Sequence, residues 1–247
     1  LLGVAISWFF MAKPFKRLTD QYDAITVPDY LISHFKSKTH TLRIIAAGTL
    51  AVFVIIFVSA QIDATGKAFE AMLDLDYFKG ALLGFFIVVA YIFSGGFVAV
   101  AWSDLFQGLM MFFGLMALPV VGWWALDGGA TELMNGLHKI DPALTNIWGG
   151  NPDPWINVTT MIGFSMIGLG FLGSPQVYVR FISIKNIEEI NKGRWVAIGF
   201  TLLTDTAAVT IGILGRYFFT ETGQDPESIL GTGGEEVLVV MADHFMP

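Results

Sequence analysis

The sequence predicts an all-α integral membrane protein, and three observations support that fold class. Of the 247 residues, 54% are hydrophobic and only 14% are charged, whereas a soluble domain carries about a quarter charged residues. The mean hydropathy is +0.64. Several uncharged runs reach the roughly 20 residues that a helix needs to cross a bilayer, so we expect about six spans. The chain is therefore expected to be a multi-pass protein of the cell membrane, in contact with lipid.

Composition also argues against other classes of protein. The net charge is −7 and no basic patch is present, which argues against a nucleic-acid partner. The sequence has no cysteine and shows neither a phosphate loop nor a nucleophile beside its base, so we do not expect an enzyme. The chain opens inside an apolar run and closes just after another, and we interpret it as an internal piece of a longer protein.

The spans follow from the apolar runs, taken in chain order. They are predicted at residues 1–12, 42–62, 80–102, 105–126, 155–179 and 195–217. Lys13-Pro14 is expected to end the first span, and a last short helix is expected from near Glu236. Residues 127–154, rich in Gly and Pro, are predicted to form a long external loop, either functional or a simple lid.

Positive charges set the orientation of these spans. Ten of the 14 Lys and Arg residues fall on one side when the loops alternate. They are Lys13, Lys16, Arg17, Lys36, Lys38, Arg43, Arg180, Lys185, Lys192 and Arg194. The positive-inside rule makes that side cytoplasmic.

The fifth predicted span, residues 155–179, has no charge but is interrupted by four glycines and by Pro175. In hydrocarbon every backbone polar group must be paired, so a weakened helix has to face protein or a water-filled cavity. Transporters use such broken helices to present backbone groups to a solute. Close packing of helices through small residues explains the glycines equally well.

Asp205 lies near the middle of the sixth span. A carboxylate at that depth costs roughly 2.5–3.5 kcal/mol on insertion scales, so it should face a partner or a cavity. Thr201, Thr204 and Thr206 are close enough in sequence to supply hydroxyl groups, and Thr201 shares a helix face with Asp205. A protonated Asp205 bound to a neighbouring helix is the structural alternative.

Asp104 stands at the predicted start of the fourth span. Asp is a good N-cap residue, and Gln107 three positions later resembles the second half of a capping box, so capping competes with ion binding here. Ser94-Gly95-Gly96-Phe97 weakens the third span near its inner end and suggests a tight reversal or a close helix approach.

Three segments together resemble the sodium:solute symporter family, in particular its sodium/proline symporter branch. Residues 24–30, AITVPDY, are similar to that family's ALTLPDY segment. Residues 94–104, SGGFVAVAWSD, are similar to its GGFxAVxWTD segment, with Ser103 in place of Thr. Residues 168–176, GLGFLGSPQ, followed by Arg180-Phe181, are similar to its GLGYFGQPH…RF segment. The segments also occur in the family's order.

The resemblance implies a five-plus-five inverted repeat of the LeuT type. Residues 1–247 would be part of the transmembrane domain with both ends truncated. They would supply helices two to five of the first repeat and the first two of the second. The fifth predicted span would be the first helix of the second repeat, which contacts the solute.

The resemblance also implies the site and the ions. Asp104 would assist the co-transported sodium ion. The solute would be a small organic molecule, an amino acid such as proline or a carboxylate. Ile167 and Phe171 stand where proline transporters have Trp and Tyr, so the solute need not be proline itself. Asp205 could meet a cationic group of that solute. The predicted solute-binding residues are Phe57, Gly170, Phe171, Pro175, Gln176, Thr201 and Asp205.

Two functions of different class remain at this point. One is sodium-coupled symport by alternating access. The alternative is a membrane sensor module of a signalling protein, built on the same transporter-like domain.

Overall fold

A computed structural model describes residues 1–146, 148 and 151–246 of the chain. The regular structure of these residues is helical throughout. The α-helices are α1 (Leu2–Ile6), α2 (Ala12–Gln21), α3 (Val27–Phe35), α4 (Thr41–Leu73), α5 (Tyr77–Trp124), α6 (Gly129–Ile140), α7 (Pro154–Gly170), α8 (Pro175–Ser183), α9 (Ile187–Phe219), α10 (Glu227–Leu230) and α11 (Val237–Phe245). A π-helical turn, Ser7–Met11, joins α1 to α2, and short 3₁₀ turns cover Pro142–Thr145, Phe171–Gly173 and Thr232–Gly234.

The chain divides into two compact units. The first contains Leu1–Val88 and Phe164–Thr201, and the second contains Val89–Gly163 and Leu202–Pro247.

Within the part of the chain that the structure describes, four helical segments are long and apolar enough to cross a membrane: α4, α5, Pro154–Gly173 and α9. The predicted spans 42–62 and 195–217 are thus confirmed as helices, although α4 and α9 extend beyond the predicted limits. In the predicted span 155–179, the membrane-length helical segment ends at Gly173. The expected all-helical membrane architecture is also confirmed.

The third and fourth predicted spans share one helix, α5, of 48 residues. At 1.5 Å per residue such a helix would measure about 72 Å, more than twice the thickness of a bilayer core. Its only non-helical residue is Gly96, with φ 55° and ψ −143°, a conformation that favours glycine. The break predicted around Gly96 is therefore confirmed, whereas the predicted boundary between residues 102 and 105 is wrong.

The first helix does not end at Lys13-Pro14, as the sequence analysis expected. Pro14 lies inside α2, which continues to Gln21. A proline interrupts a helix because it lacks an N–H and clashes with the carbonyl four residues earlier. The wider π-helical turn just before α2 changes the hydrogen-bond register at that point, which lets the helix continue past the proline.

Residues 127–154 contain a helix where a long loop was predicted. In α6 the side chains of Leu133 and Leu137 are buried, four residues apart on one face. They join a core formed with Leu118, Leu126, Ile211, Leu214 and Met241. Ile147, Gly149 and Gly150 of the predicted loop lie outside the described residues. The predicted last helix is confirmed as α11.

The core of the first unit lies where α2, α8 and the start of α9 meet. It consists of Ala12, Val177, Phe181 and Ile190. Lys16, one of the residues assigned to the cytoplasmic side, is buried beside this core. Its Nζ donates a hydrogen bond to the carbonyl of Ile182 at 2.9 Å and pairs with Asp20 at 2.8 Å. Lys16 therefore satisfies a carbonyl at the C-terminal end of α8.

Candidate functional site

The predicted interruption of the fifth span is confirmed between α7 and α8. Helix α7 ends at Gly170, residues Phe171–Gly173 form a 3₁₀ turn, and Ser174 is extended with ψ 121°. The cause is local, because Pro175 lacks an N–H and disfavours the helical conformation in the residue before it. Pro175 is then the first residue of α8, a position that tolerates proline.

The interruption changes how the backbone groups are paired. The N–H of Ser174 donates to the carbonyl of Phe171 at 3.2 Å, and the N–H of Val177 donates to the carbonyl of Ser174 at 3.1 Å. A helix end leaves carbonyl groups, and a helix start leaves N–H groups, without intrahelical partners. The α7–α8 break therefore brings a C-terminal and an N-terminal helix end together within a few residues.

The glycines of this segment are not required by packing within the described chain. A Cβ added at Gly163, Gly168, Gly170 or Gly173 would meet nothing within 4 Å. Close packing does occur at one point, because a Cβ at Gly3 would lie 1.8 Å from the carbonyl oxygen of Gly168. The small residue that lets α1 approach α7 is therefore Gly3, which the sequence analysis missed. No pattern within the sequence identifies it, since its neighbour is distant along the chain.

Four of the predicted solute-binding residues lie together at the break: Gly170, Phe171, Pro175 and Gln176. The Phe171 side chain is 37% exposed and Gln176 is also exposed. The carbonyl of Gln176 accepts a hydrogen bond from Nη1 of Arg180 at 3.3 Å. The side chains of Phe171 and Gln176 are thus accessible to a small molecule.

Thr201 and Asp205 lie one turn apart on α9, as predicted, and Asp205 is exposed. The hydroxyl of Thr206 donates to the carbonyl of Leu202 at 2.7 Å. Since a hydroxyl has one proton to donate, Thr206 does not supply the hydroxyl group expected for Asp205.

Asp104 is not an N-cap residue, which corrects the capping interpretation. It lies inside α5, past the break at Gly96, and its side chain is exposed. Gln107 does not complete a capping box either, since its Nε2 donates to Oγ of Ser103 at 2.9 Å. Phe57, the remaining predicted residue, lies in α4 with 47% of its surface exposed.

Comparison with known proteins gives a consistent result over the whole chain. The sequence model of the Sodium:solute symporter family matches residues 1–247. The High-affinity proline transporter PutP of Bacillus subtilis (strain 168) is 32% identical over 92% of this chain and 48% of its own length. The Osmoregulated proline transporter OpuE of the same organism is 29% identical over 92% of this chain and 46% of its own length. A Sodium/proline symporter of Staphylococcus aureus is 31% identical over 92% of this chain and 44% of its own length.

The chain spans about half the length of these curated relatives. No solved structure matches it.

Proposed function

Because the chain belongs to the sodium:solute symporter family, we propose that its protein couples sodium entry to the uptake of a small organic solute by alternating access. The chain is a multi-pass protein of the cell membrane. The relatives named above are transporters and not enzymes, in agreement with the sequence analysis. They also favour symport over the sensor alternative.

The α7–α8 break is the observation that carries this proposal. A lipid-facing helix has no reason to expose backbone groups, since hydrocarbon cannot pair them. A solute can pair them, and transporters bind solutes where discontinuous helices leave such groups free. In this chain the break coincides with an exposed aromatic ring, Phe171, and an exposed amide, Gln176.

Each predicted residue has a role in this proposal. Gly170 and Pro175 flank the break that presents the backbone, while Phe171 and Phe57 give apolar surface. Gln176 and Thr201 supply hydrogen-bonding groups. Asp205 pairs with a cationic group of the solute.

Sodium coupling follows from differential affinity. If sodium binds the outward-open state more tightly than the inward-open state, it raises the population of the state that binds solute from outside. Asp104 assists that sodium, because an exposed carboxylate inside an apolar helix attracts a cation. The architecture proposed for the whole protein is the LeuT-type inverted repeat, with α7 as the first helix of the second repeat.

The solute class is an amino acid, and proline is the first candidate because three relatives are named for it. Ile167 and Phe171 lack the indole and hydroxyl donors of proline transporters, so a different amino acid or a carboxylate is the second candidate.

The test is uptake of radiolabelled L-proline, and of a panel of other amino acids and carboxylates, by the full-length protein in proteoliposomes. We expect an inward sodium gradient to drive accumulation, and replacement of external sodium by choline to abolish it. Uptake that is equal in sodium and in choline would contradict sodium coupling. A panel without any transported member would contradict symport.

The solute site is tested by a matched pair of variants on α8. Gln176→Ala should raise the solute concentration for half-maximal uptake roughly tenfold, the effect expected for one lost hydrogen bond. Ser183→Ala is the control, since Ser183 is also exposed on α8 and its hydroxyl only donates to the carbonyl of Val179 at 2.7 Å. Equal effects of the two variants would remove Gln176 from the site.

A further inference from the structure

Arg194 lies where a basic side chain meets the edge of a membrane span. It is on α9, immediately before the apolar span 195–217. The distribution of positive charges assigns Arg194 to the cytoplasmic side. Its guanidinium group is therefore at the depth where the phosphate groups of the inner leaflet border the hydrocarbon core.

An aromatic ring holds the guanidinium group of Arg194 in place. The guanidinium carbon lies 4.4 Å from the centre of the Phe9 ring. The Phe9 ring in turn meets the Trp195 ring edge to face, with the ring centres 5.8 Å apart. The two segments also approach closely, since a Cβ added at Gly193 would lie 3.1 Å from the Trp8 ring. Arg194 is thus positioned by packing between α9 and the turn that carries Phe9.

The described chain gives this guanidinium group an aromatic face but no hydrogen-bond acceptor. The Nε of Arg194 is buried and has no hydrogen-bond partner among the described residues. None of the ion pairs in that part of the chain includes Arg194. Burial of part of a charged group without an acceptor is unfavourable, so an anion from outside the described chain is expected to offset its charge.

The surroundings of Arg194 favour a lipid over a soluble anion. Trp195 is 67% exposed, and Phe10, next to the stacked Phe9, is 73% exposed. Exposed aromatic rings at the end of a membrane span are typical of the lipid interface. Lys13, about one turn after Phe9, adds a second cation that forms no ion pair among the described residues. Two such cations beside apolar surface favour a lipid of net negative charge.

We propose that Arg194 binds the phosphate of an anionic phospholipid of the inner leaflet, whose acyl chains lie against the Phe9 and Trp195 rings. A guanidinium group can donate two parallel N–H···O bonds to phosphate oxygens. Lys13 adds a point charge toward the same headgroup. The site is built from the first unit alone, and it does not depend on the solute or the ion that the protein carries.

The test is labelling of Arg194 by phenylglyoxal, a guanidinium reagent, in the purified full-length protein. Peptide mass spectrometry follows each arginine in lipid-free detergent, in phosphatidylcholine nanodiscs and in phosphatidylglycerol nanodiscs. Phosphatidylglycerol should slow labelling of Arg194 roughly tenfold relative to detergent. Phosphatidylcholine should slow it less, because choline offsets the charge of its phosphate. Arg43 is the internal control, since it pairs with Asp29 at 2.8 Å and its labelling should not depend on the lipid.

Variants separate this site from the general attraction of cations to an anionic membrane. Native mass spectrometry of the full-length protein in detergent, titrated with phosphatidylglycerol, measures the affinity for bound lipid. Arg194→Gln should lower the affinity of one bound phosphatidylglycerol roughly tenfold. Lys192→Gln is the matched control: it removes the same charge two residues earlier, but Lys192 is exposed and already pairs with Glu189 at 3.3 Å. Its lipid affinity should match that of the wild type.

Several results would overturn the inference, and those from labelling use the wild type, so they do not require a variant to fold. Resistance of Arg194 to phenylglyoxal in lipid-free detergent would show that another part of the protein covers it. Equal labelling in detergent and in phosphatidylglycerol would show that no headgroup meets it, and equal protection by the two lipids would remove the preference for an anionic one. Protection by inorganic phosphate in detergent, equal to that by phosphatidylglycerol, would assign the site to a soluble anion. Equal effects of Arg194→Gln and Lys192→Gln would leave only a general attraction of charge.

Discussion

The hydroxyl of Tyr217 donates a hydrogen bond to Oε1 of Glu132 at 3.0 Å, which fastens α6 to the end of α9. Oε2 of the same carboxylate accepts from the N–H of Gly128 at 2.6 Å, just before α6 begins. The approach of the two helices is close, since a Cβ at Gly136 would lie 2.2 Å from the Tyr217 ring. Glu132 therefore both caps its own helix and holds it in the second unit.

This arrangement predicts a pH dependence of stability. The N–H of Gly128 and, to a smaller extent, the Tyr217 hydroxyl lower the pKa of Glu132 by binding its charged form. A carboxyl group whose pKa is lower in the folded state contributes stability above its unfolded pKa of about 4.3 and loses it as pH falls through the folded value. The melting temperature of the wild type should thus exceed that of Glu132→Gln at neutral pH, and the difference should shrink in acid. Glu221→Gln, at an exposed position after the end of α9, is the control and should show no such change; a pH-independent difference would contradict the prediction.

The contact of Gly3 with Gly168 predicts unequal effects of two similar substitutions. Gly3→Ala should lower the free energy of unfolding by about 1–3 kcal/mol, because its methyl group would overlap the Gly168 carbonyl and backbone must move. Gly168→Ala should leave stability within about 0.5 kcal/mol, since its Cβ meets nothing within 4 Å. Thermal unfolding in detergent measures both. Equal destabilisation would show that the two helices do not meet as described.

The buried contacts of Lys16 predict a structural role for its charge. Lys16→Met removes the donor to the Ile182 carbonyl, whereas the exposed Asp20 loses its partner at little cost, so we expect a loss of about 1–3 kcal/mol in unfolding free energy. Arg17→Met, at the adjacent exposed position, removes the same charge and should cost less than about 0.5 kcal/mol. Chemical denaturation of the two variants separates burial from net charge. A similar loss in both would assign the effect to charge alone.

The features that the sequence predicted correctly are those with a local cause. Pro175 forces an extended residue before it whatever surrounds it, so the α7–α8 break is readable from a few residues. The break at Gly96 is also readable locally, because glycine adopts a positive φ that other residues rarely adopt. The helix α6 was missed because Gly and Pro content suggested a loop, whereas Leu133 and Leu137 become core residues only through partners that are distant in sequence.

The residues of the candidate site show the same contrast between local sequence and tertiary packing. Gly170, Phe171, Pro175 and Gln176 come together because they are neighbours in sequence. Capping competed with ion binding at Asp104 because its neighbours fit a cap, but a cap requires a helix to start there and α5 is already under way. The contact of Gly3 with Gly168 depends on tertiary packing, which no local pattern of residues records.

Replacement of Asp104 is expected to change the sodium dependence of uptake. Asp104→Asn removes a carboxylate from an exposed position inside α5, so it should raise the sodium concentration for half-maximal uptake roughly tenfold, as expected for one lost charged ligand. The measurement is uptake by the full-length protein as a function of external sodium at fixed solute. Asp127→Asn is the control for net charge, since Asp127 is exposed after the end of α5, and it should leave the sodium dependence unchanged. A lower melting temperature with an unaltered sodium dependence would assign Asp104 to stability and remove it from the ion's path.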